Sequence, residues 1–398
     1  MRGLWLGLLT VAGCYSPSAP VGLACAPAGS PSRCPAGQEC MVRGGTEVCV
    51  LAGAGDVDAS VIDAPPGDGP ADASTDGPPL DAPPNWWNLA WTHRRPIDVT
   101  AGTNGMPAGY SIAITIDHAA LVGSGASLAS GGDVRIVRDD GTPVDRVLDT
   151  GAAWNTAATR LWFKADTALA ANATARYWVY YGNATPGAPP ANPSTVFLFS
   201  DDFESGLARW SVDTGVTTTT ARVHRGTRSL VTPATTASSR GAYTNGINEA
   251  NVAWDIWWNI DVPANTDANS SVRGESNSVY LSNLQPPATG QPPTWNIAKY
   301  VNSMYSVIIP PPNGATPAVA DTWFRVTFYA YADRMAVDIN GVRYVPASGF
   351  SPVGATTAGS VGVNVYTSTA GVYFDDATLR RFVLPEPVVA IGVQQSLP

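Results

Sequence analysis

The chain has 398 residues, 44% of them hydrophobic and 14% charged, with 39 Gly, 34 Pro and a formal net charge of −9. That length predicts two or three domains, each able to bury a core, while abundant Gly and Pro with few charged helix formers argue against helical architectures. Nucleic-acid binding is disfavoured because 23 Lys and Arg stand against 32 Asp and Glu, with no basic cluster to displace counterions from phosphates.

Arg2 followed by the apolar residues 3–13 reads as an export signal, since that run is too short to span about 30 Å of hydrocarbon. Its end, Leu9-Thr10-Val11-Ala12-Gly13-Cys14, resembles the bacterial lipobox. The resemblance implies cleavage after residue 13 and acylation of Cys14, a palmitate-bearing anchor in the membrane. Tyr15 rather than Asp follows, so the expected location is the outer membrane or cell surface. No later run approaches about 18 apolar residues, leaving lipid as the expected attachment.

Residues 14–50 form a small Cys-rich module. Cys25, Cys34, Cys40 and Cys49 are an even set within a short exported segment, which predicts two disulfides in any of three pairings. Residues 51–84 are almost wholly Ala, Asp, Gly and Pro, with seven Asp and no Lys, Arg or Glu. Without aromatic anchors this linker is expected to be disordered and extended, reaching on the order of 100 Å.

β signals begin at residue 85. Tyr110, Ile112, Ile114 and Ile116 alternate with smaller or polar residues, predicting a half-buried strand. Further strands are expected at residues 134–136, 160–165 and 176–181, and a short helix at 118–130. Together they predict a β-sandwich over residues 85–199. Trp86-Trp87, Trp91-Thr92-His93-Arg94-Arg95-Pro96-Ile97, Asp133-Val134-Arg135-Ile136, Leu161-Trp162-Phe163-Lys164 and Tyr177-Trp178-Val179-Tyr180-Tyr181-Gly182-Asn183 occur in that order. They resemble the domain-of-unknown-function family 2341 over about residues 86–199. The resemblance implies a bacterial extracytoplasmic β module, often beside a lectin-like domain, and carries no catalytic residues.

Residues 200–385 open with Asp201-Asp202-Phe203-Glu204, pass through an Asn340-Gly341 turn, and close with Tyr373-Phe374-Asp375-Asp376. This order is similar to concanavalin A-like lectin/glucanase (laminin G-like) jelly rolls, with galactose-binding-like modules as the alternative sandwich. Residues 386–398 are expected to be a tail. The predicted fold class is therefore all-β, with two sandwich or jelly-roll domains after the stapled module and linker. The resemblance also implies a structural calcium held by Asp202, Glu204 and Asp376, because that hard cation takes six to eight oxygens.

Alternation predicts that Trp257 and Asn259 stand opposite the core-facing Trp254, Ile256 and Trp258, and that Trp323, Arg325 and Tyr329 do likewise on a later strand. Asn364 and Tyr366 are expected to join them. Rings beside planar polar groups suit a sugar, whose C–H face stacks while its hydroxyls seek hydrogen bonds. No Glu-x-Asp-x-Glu strand, Gly-x-Ser-x-Gly elbow or HExxH run occurs, so no catalytic residues are assigned. The expectation is a non-catalytic, lipid-anchored, monomeric surface protein that binds a polysaccharide or other glycan. The alternatives are a structural or protein-interaction spacer and a glycoside-active enzyme.

Overall fold

The computed structural model describes residues 86–397 apart from residues 237, 287–292, 313–316 and 355–356, together with the backbone of Gln38–Arg43 and Thr46–Leu51. Those two strands pair antiparallel, with Cys40 opposite Cys49 in register. The export signal, Cys14, Cys25, Cys34, the acidic linker and the side chains of Cys40 and Cys49 lie outside the described residues.

The first sandwich forms as its alternation predicts. Tyr110–Ile116 buries Tyr110, Ile112, Ile114 and Ile116. Among the described residues it joins Thr159–Ala165 and Arg146–Leu148 in a three-stranded sheet. The helix is only His118–Gly123, capped where Asp117 accepts from the Ala120 N–H at 2.9 Å. Two glycines, Gly123 and Gly125, stop it short of the expected residue 130, because glycine has the most backbone entropy to lose in a helix. The opposing sheet includes His93–Thr100, Thr174–Tyr181 and Arg135–Arg138, and contributes Ile97, Val99, Ile136 and Val179 to the same core. On its outer side Trp86 and Trp87 pack around Tyr180, and the Arg94 guanidinium stacks 3.9 Å from the Trp178 ring.

The C-terminal residues are not a tail. Val388–Ile391 pairs antiparallel with His93–Thr100, setting Ile391 against Ile97 and Val389 against Val99, and Gln395–Ser396 pairs with the same strand. The jelly roll is thus inserted between early and late strands of the first sandwich. A four-residue strand whose partner lies almost 300 residues upstream gives no local signal of its pairing.

Among the described residues the second sandwich packs a nine-stranded sheet on a seven-stranded one. The first has at its centre Val372–Arg381, Val252–Ile260, Phe324–Tyr331 and Arg334–Ile339. The second runs Trp210–Val212, Arg240–Thr244, Ser360–Thr367, Asp267–Glu275, Ser278–Gln285, Thr294–Val301, Met304–Ile309. Between them lie Trp254, Trp258, Trp295, Phe324, Phe328 and Phe374, with Trp258 5.3 Å from Trp295 and 5.1 Å from Phe374. Asn340 and Gly341 both take positive φ (52° and 77°), the conformation a two-residue hairpin turn needs and this dipeptide favours.

Candidate functional site

The nine-stranded sheet has the predicted alternation, yet its outer face is not open. Trp254, Ile256 and Trp258 point inward and are fully buried, and Trp257 points away from that core. Its Nε1 donates to Thr150 Oγ1 of the first sandwich at 2.9 Å, and its ring stacks on His224 at 3.9 Å and 17°. Trp323 meets His224 edge-on at 5.7 Å. Asn259 is buried and accepts from Arg222 Nη1 at 2.9 Å. Tyr329 packs against Phe382, ring centres 4.9 Å apart, and burial raises its phenol pKa.

Arg325 fastens this junction. Its Nη1 donates to Asp149 Oδ1 at 2.8 Å, and its Nε donates to Asp255 Oδ1 at 2.9 Å. Burial alone would raise the Asp149 carboxyl. The Arg325 charge and hydrogen bonds from Trp162 and Gly151 outweigh it and hold Asp149 below the usual carboxylate range. The expectation of an open Trp257, Asn259, Arg325 and Tyr329 platform is therefore corrected: the first sandwich meets Trp257 and Arg325, while Arg222 and Phe382 of the second sandwich take up Asn259 and Tyr329. Outward pointing is set by strand parity, but exposure depends on what packs next.

Asn364 and Tyr366 belong to the other sheet, so they do not join Trp257. Asn364 stands opposite Asn269, Asn269 opposite Asn283, and Asn283 opposite Asn296. These four amides form a row across four adjacent strands, on the face away from the core residues Ala268, Leu284, Trp295 and Val363. At about 4.8 Å between strands the row spans on the order of 14 Å. Tyr243 and Tyr305 lean over its ends. The Tyr243 hydroxyl accepts from Asn364 Nδ2 at 3.0 Å, and the Tyr305 hydroxyl donates to Asn296 Oδ1 at 3.2 Å. The amides themselves are buried, whereas Tyr305 and Tyr366 are 42% and 48% exposed. Among the described residues Asn269 Oδ1 is buried without a hydrogen-bond partner. At the row's margin, burial pushes the Asp267 carboxyl up to about 6 against an opposing hydrogen bond from Asn283. Asn269, Asn283 and Asn296 were missed in the sequence. Their parity within each strand was readable, but the register that aligns them was not.

The proposed calcium ligands do not assemble. Glu204 Oε1 accepts from the Thr227 and Arg228 N–H groups at 2.6 and 2.8 Å, so backbone donors already engage this carboxylate. Asp376 Oδ2 lies 2.6 Å from His224 Nδ1, and Asp202 Oδ1 accepts from the Glu204 N–H. Among the described residues no cluster of three His, Cys, Asp or Glu side chains is placed to hold a metal. The carboxylates suit calcium in kind but are not gathered into one cluster, which corrects the expectation that Asp202, Glu204 and Asp376 share a site. Neighbouring Asp375 is fully buried, and burial together with the Asp376 charge raises it to about 7.

Comparison with known proteins matches residues 130–213 to DUF2341, a domain of unknown function. The match begins later than the resemblance read from the sequence and continues into the first strands of the jelly roll. A search of curated protein sequences returns no match. Among solved structures, the chain is similar to the carbohydrate-binding module CBM66 from Bacillus subtilis at 14% identity and TM-score 0.33, over 44% of this chain and 96% of that one. A galectin-like protein of unknown function from Bacillus subtilis aligns at 11% identity and TM-score 0.33, covering 46% and 96%. A xylan β-1,4-xylosidase from Bacillus halodurans aligns at 9% identity and TM-score 0.31, covering 46% of this chain and 39% of the enzyme.

Proposed function

We propose that this chain is a non-catalytic, lipid-anchored protein of the outer membrane or cell surface that binds glycan on the outer face of its seven-stranded sheet. The observation that carries the reading is the row Asn364, Asn269, Asn283 and Asn296. Buried amides facing away from a core cost desolvation unless hydrogen-bonded, and Asn269 Oδ1 has no partner among the described residues. A sugar hydroxyl can supply the donor that Asn269 Oδ1 lacks. The half-exposed rings of Tyr305 and Tyr366 offer the flat apolar surface that a sugar C–H face prefers. Cys14 in its lipobox-like setting supports the anchor.

Glycosidic chemistry has less support. Asp149 and Asp255 do meet in a cleft, but both bind Arg325, which holds Asp149 ionised. A glycosidase acid needs the opposite shift. A structural role is favoured by one observation, the contacts of Trp257 and Arg325 with Thr150 and Asp149 of the first sandwich.

A polysaccharide array probed with the full chain tests the proposal. Asn269→Ala removes an unpaired acceptor, so it is expected to leave the melting temperature within ~2 °C of the parent while weakening glycan retention ~10-fold or more. An array on which the parent protein retains no glycan overturns the proposal.

A further inference from the structure

A second candidate site lies between the sandwiches, apart from the asparagine row. A cleft of about 720 Å³ runs between the loop after Asp149 and the covered face of the nine-stranded sheet, inside the ~300–1,000 Å³ range of small-ligand pockets. The loop wall is made of Gly151 and small residues such as Ala153 and Ala158, so it fills little of the space. A Cβ at Gly151 would stand 3.1 Å from the Trp257 ring, so glycine permits the close approach there. The opposite wall carries Trp257 and Tyr329, and the Asn340–Gly341 turn forms its lip.

The lining charges cancel. Arg160, Arg325 and Arg380 face Asp149, Asp255 and Asp338, and outside the lining Arg343 pairs with Asp338 while Glu386 pairs with Arg380. An anionic or cationic ligand therefore gains no net attraction. Two donors are nonetheless under-used. The Arg160 side chain is 44% exposed, stands over the Trp162 ring and reaches Asp149 only at 3.9 Å. Arg380 Nε is buried with no partner among the described residues. Aromatic walls, balanced charge and spare donors together suit a ligand rich in hydroxyls and free of charge. We infer that this cleft is a separate binding site for the end of a neutral saccharide, held between the two sandwiches beside the Trp257 and Tyr329 rings.

The test titrates the full chain with cellotriose, xylotriose and maltotriose, with trigalacturonate as the charged control, following indole N–H resonances. The cleft reading expects at least one neutral trimer to bind and to shift the Trp257 signal. Ala158→Trp, which fills the cleft from an exposed loop position, should weaken that binding ~10-fold or more, while Asn269→Ala leaves it intact. Failure of all three neutral trimers at ~10 mM overturns the inference. So does tighter binding of trigalacturonate, or binding that survives Ala158→Trp and disappears in Asn269→Ala. That last result would assign the ligand to the asparagine row, and so separates failure of this inference from failure of the proposed function.

Discussion

On the nine-stranded sheet of the second sandwich, Trp257 and Arg325 point away from the core and meet Thr150 and Asp149 of the first sandwich. On the seven-stranded sheet, Tyr305 and Tyr366 also point away from the core, and they meet solvent. Both faces come from the same two-residue period, and both mix aromatic with polar side chains. The difference teaches that parity decides which side a residue takes, whereas the neighbouring domain decides whether that side remains a surface. The face richer in tryptophan is the one consumed as an interface, in keeping with the large apolar area each such ring buries.

The strongest way to break this comparison is to destabilise the domain that meets one face. Deleting residues 386–398 strips Val388–Ile391 and Gln395–Ser396 from His93–Thr100 and leaves that strand an unpaired edge over Ile97 and Val99. The first sandwich should lose cooperative folding or melt on the order of 10 °C lower, checked by thermal circular dichroism. An unchanged melting curve would show that the C-terminal strands contribute nothing.

A smaller effect is expected from Arg325→Ala. It leaves Asp149 and Asp255 facing each other in a junction where their side chains are only 4% and 6% exposed. Removing one member of a buried ionic group typically costs about 3–5 kcal/mol, measurable by urea denaturation, whereas changes at the half-exposed Tyr305 should cost well under half of that.

The pH dependence sharpens the contrast further. Asp375, on the covered side, is raised to about 7, and Asp267, beside the asparagine row, to about 6. Both folded values exceed the unfolded value near 3.9, so the folded state binds more protons between them and stability falls as pH rises through that window. The loss should reach on the order of 3 kcal/mol for Asp375 between about pH 4 and 7, and less for Asp267 between about pH 4 and 6. Asp375→Asn should flatten most of the slope in denaturation series across that range, and Asp267→Asn a smaller part. A slope unchanged in Asp375→Asn would mean that the carboxyl is already ionised when folded.

Much of the architecture was legible in the residues. The alternation at Tyr110 to Ile116 and at Val252 to Ile260 marked true strands with the correct inward faces, and Asn340-Gly341 marked a true hairpin turn. The candidate site was legible only in part. Asn364 and Tyr366 were picked out, but Asn269, Asn283 and Asn296 were not, because each gains meaning only from its neighbour across the sheet. Glu204 and Asp376 looked like ligands by their place in the chain, yet one is taken by backbone N–H groups and the other by His224.

By itself, then, the sequence determined that the described part of this chain is all β, where its long strands run, and which side chains of each strand face inward. Those properties follow from short-range periodicity and turn chemistry, which a few neighbouring residues encode. Only the tertiary structure decided that the last strands return to the first sandwich, that the Trp257 face is covered, and that four asparagines align. Register and domain contact couple residues tens to hundreds of positions apart, and no local pattern carries that information.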